Sequence, residues 1–250
     1  MSIGANKREW EELGELDPLW AIAGNPDRRF GRWELEEFFA GGRREIDGVM
    51  AQLDELGLPA RRHAVLDFGC GVGRVTRALR EHFDTALGVD ISTPMLARAR
   101  ELNADVDGLE FALNDAADLR SLGDRRFDLV YTRIVLQHVA GRDVARSYIQ
   151  EFVRLLADGG VAVFQIPTFI PPRYRFMPIR KLYLAGRVLR IAPAFLYHRL
   201  RLHPIRMQWV PEPQIQEWIA QAGGEIRHVT RAASGTGVRH ATFYAVSGAS

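Results

Sequence analysis

The residues best placed to do chemistry begin in one glycine-rich stretch. The apolar run AVLDF, which carries Asp67 and Phe68, leads into Gly69-Cys70-Gly71-Val72-Gly73-Arg74. Alternating glycines let a chain turn sharply and let a ligand approach the backbone without meeting a Cβ. A helix after such a turn presents free N–H groups. A dinucleotide fingerprint requires glycine or alanine at position 74, where Arg74 stands. The Gly-Lys-Ser/Thr ending of a triphosphate loop is also missing. The loop therefore suits a nucleoside-bearing ligand that needs no pyrophosphate cradle. A second apolar run, TALGVD, ends at Asp90, whose ionised carboxylate can accept from both hydroxyls of a ribose. A third, LEFAL, is followed by Asn114-Asp115, and Asp115 can accept from an adenine amino group. Three successive strand ends thus agree on one ligand class.

The elements that must position these residues alternate. After TALGVD, Thr93-Pro94 reads as the N-cap and first turn of a helix. FDLVYT reads as a fourth strand. A helix from about Asp143 to Leu156 is expected to end at Asp158-Gly159-Gly160, and VAVFQI then forms a fifth strand. Ile215, Trp218, Ile219 and Ala222 share one face of a later helix, which Gly223 suits as a stop. EIRHVT and ATFYAVS are the last two strands, and the short link between them lets the final one run antiparallel beside its predecessor. Upstream, Ile46, Val49, Met50, Leu53 and Leu56 recur at helical spacing before Gly57 and Pro59. Apolar strands alternating with amphipathic helices imply a parallel sheet covered on both faces. Ligands in such sheets sit beyond the carboxyl ends of the strands, near the switch in strand order.

Composition narrows the classes. The chain has 250 residues, 47% of them hydrophobic, and no uninterrupted apolar run long enough to cross a bilayer. The opening MSIGANKREWEELGE lacks the apolar centre of a secretory signal, and the single cysteine, Cys70, excludes an internal disulfide. A reducing, cytoplasmic setting is the expectation. Net charge is only +2, but no acidic residue occurs between Asp158 and Glu212, a stretch holding eight arginines and Lys181. His and acidic residues show no metal-ligand spacing, so no metal is expected.

The motifs VLDFGCGVGRVTRAL, LGVDIS, FALNDA, FDLVYTRIVLQHV and LLADGGVAVFQIP resemble the successive motifs of class I S-adenosylmethionine-dependent methyltransferases. The resemblance covers residues 60–168 well and continues more loosely to the C-terminus. DPLWAIAGNPDRRFGRWELEEFF is similar to the leading segment of a bacterial branch of that superfamily. The resemblance implies a Rossmann-like α/β fold: a mostly parallel seven-stranded sheet with helices on both faces. It divides the chain into a helical cap (1–60), a cofactor-binding core (61–168), a basic helical lid insert (169–207) and the C-terminal part of the core (208–250). It implies S-adenosylmethionine as cofactor and S-adenosylhomocysteine as product. Asp67, Gly69, Gly71 and Gly73 would line the methionine part. Asp90 would hold the ribose, with Ile91 and Met95 against the adenine. Asp115 and Ala116 would meet the adenine edge, and Arg133 and Ile134 the region of the sulfonium.

The acceptor expected is a small molecule such as a natural product, lipid or sugar; oxygen, nitrogen and carbon acceptors all stay open, with oxygen favoured if His138 is a base. His138 follows the fourth strand and is the candidate general base, since imidazole titrates near about 6.5. Its alternative role is hydrogen-bonded packing under the cofactor. Tyr131, Arg133 and Gln137 are weaker candidates for orientation, and Cys70 reads as a small buried side chain. The insert has three readings: a solvated surface lid, a lid that recognises the acceptor, or a membrane-docking segment through residues 173–206. Nucleic acid is not the expected partner, because no Asp/Asn-Pro-Pro-aromatic segment follows the fourth strand. An RNA methyltransferase and a non-catalytic cofactor-binding module are the alternatives.

Overall fold

The computed structural model describes residues 2–248. Three helices come first: α1 (Ile3–Leu16), α2 (Pro18–Ala23) and α3 (Leu35–Glu55). Strands and helices then alternate as β1 (Ala64–Phe68), α4 (Arg74–Arg80), β2 (Thr85–Asp90), α5 (Thr93–Leu102), β3 (Leu109–Leu113), β4 (Phe127–Thr132), α6 (Arg142–Arg154) and β5 (Leu156–Phe169). The insert forms α7 (Pro172–Arg175), α8 (Pro178–Val188) and α9 (Pro193–His198). The chain closes with α10 (Glu212–Gln221), β6 (Gly224–Ala233) and β7 (Arg239–Ser247).

The seven strands form one sheet in the order β3-β2-β1-β4-β5-β7-β6. The first five run parallel, and β7 lies antiparallel to both β5 and β6. This is the mostly parallel seven-stranded sheet expected. Side chains alternate between two apolar layers, as the period of a strand requires. Leu66, Val130, Phe164 and Phe243 face the layer of α6 and α10, where Phe152 and Trp218 pack. Val65, Leu129, Val163 and Tyr244 face α3 and α4, where Ile46, Met50, Leu53 and Leu79 pack. The predicted stripe on α3 is thus part of the main core, while α1 and α2 sit elsewhere, around Leu13, Trp20 and Phe38.

Two details differ from the sequence reading. The helix α6 ends at Arg154, and Asp158-Gly159-Gly160 lies inside β5 rather than stopping the helix. The strand begins early because Leu156 pairs with Phe127, and a register shift between Phe127 and Leu129 absorbs the extra residues as a bulge. The Thr93-Pro94 pair opens α5 from inside it, with Ser92 as the N-cap accepting from the Met95 N–H.

Phe164 is fully buried and stacks on Phe243 with ring centroids 5.4 Å apart. Phe164→Ala is expected to cost about 3–5 kcal/mol in denaturant unfolding. A loss below about 1 kcal/mol would show that this layer is not the packed centre.

Candidate active site

The strand order reverses between β1 and β4, and their carboxyl ends open a cleft there. Its empty volume is about 850 Å³ including the mouth. Gly69 and Gly71 from the loop after β1 line it. So do Asp90, Ile91 and Met95 after β2, and Arg133, Ile134 and His138 after β4. These eight were singled out from sequence, and the fold brings them to one place.

The loop geometry explains the glycines. Gly71 has φ +56°, and a Cβ there would sit 2.5 Å from the Ile22 side chain on α2. Gly73 has φ +81°, and a Cβ there would meet Asn103 and Phe111 at 2.7 and 2.8 Å. Gly73 is therefore required for packing α4 against the β3 side, and it does not line the cleft. Ile134 takes φ +62°, a conformation that a β-branched residue adopts only under constraint and that concentrates at functional sites.

Asp90 accepts from the N–H of Gly71 and of Ser92, each at 2.9 Å. Burial raises its carboxyl, and the N–H groups of Ser92, Gly71 and Ile91 offset part of the rise. The carboxylate keeps acceptor capacity for a ligand hydroxyl. Asp67 lies just behind, in a smaller pocket shared with Gly69, Arg74 and Arg133. Its carboxylate accepts from Thr76 Oγ1 at 2.6 Å, and burial pushes it up to about 7.

Asp115 and Ala116 do not enter the cleft. Asp115 is exposed and pairs with Lys7 of α1 at 2.8 Å, so the side chain expected at the adenine edge instead holds the cap. Asn114, one residue earlier, lines the cleft and donates to the Tyr148 hydroxyl at 3.4 Å. That hydroxyl donates to the Ala116 carbonyl at 2.5 Å. The insert lines no part of the cleft either. It packs on α1, and its Arg206 carbonyl accepts from His138 Nδ1 at 2.5 Å.

That bond fixes the His138 tautomer. With its proton on Nδ1, Nε2 is the acceptor, and Gln137 Nε2 donates to it at 3.0 Å. Burial pushes the imidazole down to about 4, so it is neutral at neutral pH. Both ring nitrogens are engaged, and the Trp10 ring of α1 packs edge-on at 5.6 Å.

Sequence reading missed the roof and one buried acid. The roof is α1: Ile3, Asn6 and Trp10 line the cleft, and Asn6 Nδ2 donates to the His138 carbonyl at 3.0 Å. The acid is Glu45 of α3. It pairs with Arg74 at 2.8 Å and Arg133 at 2.9 Å, and accepts from the Tyr131 hydroxyl at 2.8 Å. Burial alone would raise its carboxyl, but the two guanidiniums outweigh burial and hold it below the usual range. Its position one residue before Ile46, at the edge of an otherwise apolar stripe, was the available signal. Among the described residues no cluster of three His, Cys, Asp or Glu side chains is arranged to hold a metal.

Residues 66–164 match the family described as a methyltransferase domain. Over that stretch, from β1 into β5, the chain is similar to methyltransferase domains. Among its relatives is a malonyl-[acyl-carrier protein] O-methyltransferase from Enterobacter lignolyticus. It is 36% identical over 125 residues, which cover 49% of this chain and 44% of that one. A trans-aconitate 2-methyltransferase from Streptomyces coelicolor is 35% identical over 156 residues, 58% of this chain and 48% of that one. Each match spans less than half of the curated relative's length. Among solved structures, magnesium protoporphyrin IX methyltransferase from Synechocystis PCC 6803, with S-adenosylhomocysteine bound, has the same fold. Its TM-score is 0.61 at 20% identity, covering 96% of this chain and 97% of that one.

Two outcomes follow for this site. Glu45→Gln is expected to lower stability by about 3 kcal/mol, because two guanidiniums lose their shared counter-charge; urea unfolding at neutral pH reads it. His138 and His203 are both depressed from 6.5 to about 4 by burial. The unfolded chain then binds more protons between these values. Stability contributed by the neutral rings is full above 6.5 and is lost as pH falls toward 4. His138→Gln is expected to flatten that acid-side loss, and an unchanged pH profile of urea midpoints would contradict it.

Proposed function

We propose that this protein transfers the methyl group of S-adenosylmethionine to an oxygen of a small acceptor that arrives already ionised, a carboxylate. The observation that carries the reading is the cleft at the β1/β4 reversal, where a backbone loop, Asp90 and an apolar wall converge. The fit is chemical as well as spatial. Asp90 retains acceptor capacity for a ribose, Ile91 and Met95 offer apolar contact for a base, and Asn114 offers an amide for the base edge. Asp67, behind Gly69, is placed for an ammonium group.

When bound, S-adenosylmethionine supplies a methyl carbon that its sulfonium makes electrophilic. The protein's task is then to orient the acceptor for in-line attack and to exclude water, which supplies much of such an acceleration. The roof helix α1 encloses the cleft from above. Arg133 lines the main cleft, the pocket of Asp67 and a groove that continues past Thr132, Gln165 and Thr242. Arg133 pairs with Glu45 yet its side chain stays 43% exposed, so it presents a guanidinium to an anionic acceptor. His138 acts here as a positioning residue: its neutral ring ties the segment after β4 to Arg206, and no proton need be taken from a carboxylate. Trans-aconitate, named in one relative, is itself a carboxylate.

Calorimetry with S-adenosylhomocysteine tests the site. Saturable binding is expected, weakened at least about tenfold in Asp90→Ala by loss of hydrogen bonds to a charged group. Docking an ammonium beside Asp67 should lower its carboxyl from about 7 and release protons near neutral pH. The binding enthalpy should accordingly vary with the ionisation enthalpy of the buffer, and Asp67→Asn should abolish that variation.

A panel of carboxylic acids and alcohols tests the chemistry. Methyl esters are expected, with Arg133→Gln raising KM for the acid, and His138→Gln lowering kcat by less than about tenfold. A loss of about a hundredfold or more, confined to hydroxyl acceptors, would make His138 the general base. Tight cofactor binding without turnover on any acceptor would instead mark a binding module.

A further inference from the structure

The helix α8 is inverted relative to an ordinary surface helix. Its arginines face the protein. Arg180 pairs with Glu9 at 2.7 Å and is 12% exposed, and Arg187 pairs with Glu12 at 2.7 Å. Tyr183, on the same inward face, donates to Glu12 at 2.6 Å. The outward face carries Leu182, Leu184, Val188 and Leu189, with Val188 82% and Leu189 74% exposed. Phe176 before this helix and Phe195 in α9 are also exposed, at 62% and 51%. Most of the large apolar side chains exposed among the described residues fall between Tyr174 and Leu200. Exposed apolar side chains concentrated in one segment in this way point to a contact site.

The site already described does not use this face, since nothing from residues 169–207 lines the cleft. Its rim shows what it meets. Lys181, Arg190, Arg199 and Arg201 are exposed and have no ion-pair partner among the described residues. Lys181 Nζ lies 3.6 Å above the Phe176 ring. No acidic residue occurs between Asp158 and Glu212 to balance them. A second copy of the chain would set like charges against each other across a two-fold axis, which opposes dimerisation through this face. A leaflet of anionic lipid offers both complements: hydrocarbon for the leucines and phenylalanines, and headgroup charge for the cationic rim.

We propose that the outward face of α8 and α9 docks the protein on an anionic membrane surface. Glu9 and Glu12 tie α8 to α1, so docking sets the roof of the cleft beside the bilayer. Lys and arginine stems lie along the apolar surface while their charged ends reach the headgroups.

Co-sedimentation with vesicles tests this. The protein is expected to sediment with vesicles of phosphatidylcholine mixed with phosphatidylglycerol. It should do so far less with phosphatidylcholine alone, and binding should fall as salt rises. Val188→Glu combined with Leu189→Glu should weaken partition at least about tenfold, since apolar insertion is lost. Arg190→Glu combined with Arg199→Glu should weaken it on the anionic vesicles only. All four positions are exposed, so unfolding midpoints should stay unchanged and serve as the folding control. Absence of binding, equal binding to both vesicle types, or wild-type binding by the Val188/Leu189 variant would overturn the proposal. So would a lipid-free dimer in light scattering that the same variant dissociates, because the face would then belong to a second copy.

Discussion

The reversal of strand order between β1 and β4 is the constraint from which the site follows. The connection from β1 departs through α4 to one side of the sheet, and that from β4 departs through α6 to the other. Neither can cover the carboxyl ends of its own strand. A crevice is left there by topology alone. Everything that could recognise a ligand is placed by that geometry: the loop after β1, the carboxylate after β2 and the strained turn at Ile134.

What topology leaves open, α1 closes, and it does so largely through polar contacts. Asn6 reaches the His138 carbonyl, and the Trp10 carbonyl accepts from Ser92 Oγ at 3.3 Å. Lys7 reaches Asp115, while Glu9 and Glu12 reach α8. One fourteen-residue helix is thus fastened to the cleft on one side and to the insert on the other. The buried Asp17 at its C-terminal end accepts from the Tyr197 hydroxyl at 2.9 Å and from the N–H groups of Phe30 and Gly31. The N-terminal segment and α9 therefore share one polar anchor.

The sheet was legible in the sequence because strand periodicity and glycine turns are local signals. All seven strands and the helices between them were placed within a few residues. The bulge around Gly159 was misread because Asp-Gly-Gly is also a helix-stop pattern, and only the pairing of Leu156 with Phe127 distinguishes the two. The gathering of strand-end residues at one cleft was legible for the same local reason. Asp115 was not, because its direction is decided by Lys7, 108 positions away. Glu45 and the roof residues Ile3, Asn6 and Trp10 were hidden similarly: their roles exist only once distant helices meet the sheet. The basic insert misled in a different way. Its charge was visible, but which arginines are neutralised depends on acids in α1, so the sequence could not tell that its apolar face points outward.

The placement of β7 between β5 and β6 has a consequence for how the protein is made. Among the described residues strand β6 pairs with β7 alone, and one edge of β5 is open until β7 arrives. During synthesis on the ribosome, about seventy residues emerge after β5 before that edge is sealed. A nascent chain stalled in this interval presents an apolar strand edge, Val161 to Ile166, to any neighbouring polypeptide. Its vulnerability to misassembly in the cell is therefore greatest between the emergence of β5 and that of β7, when the five parallel strands already exist.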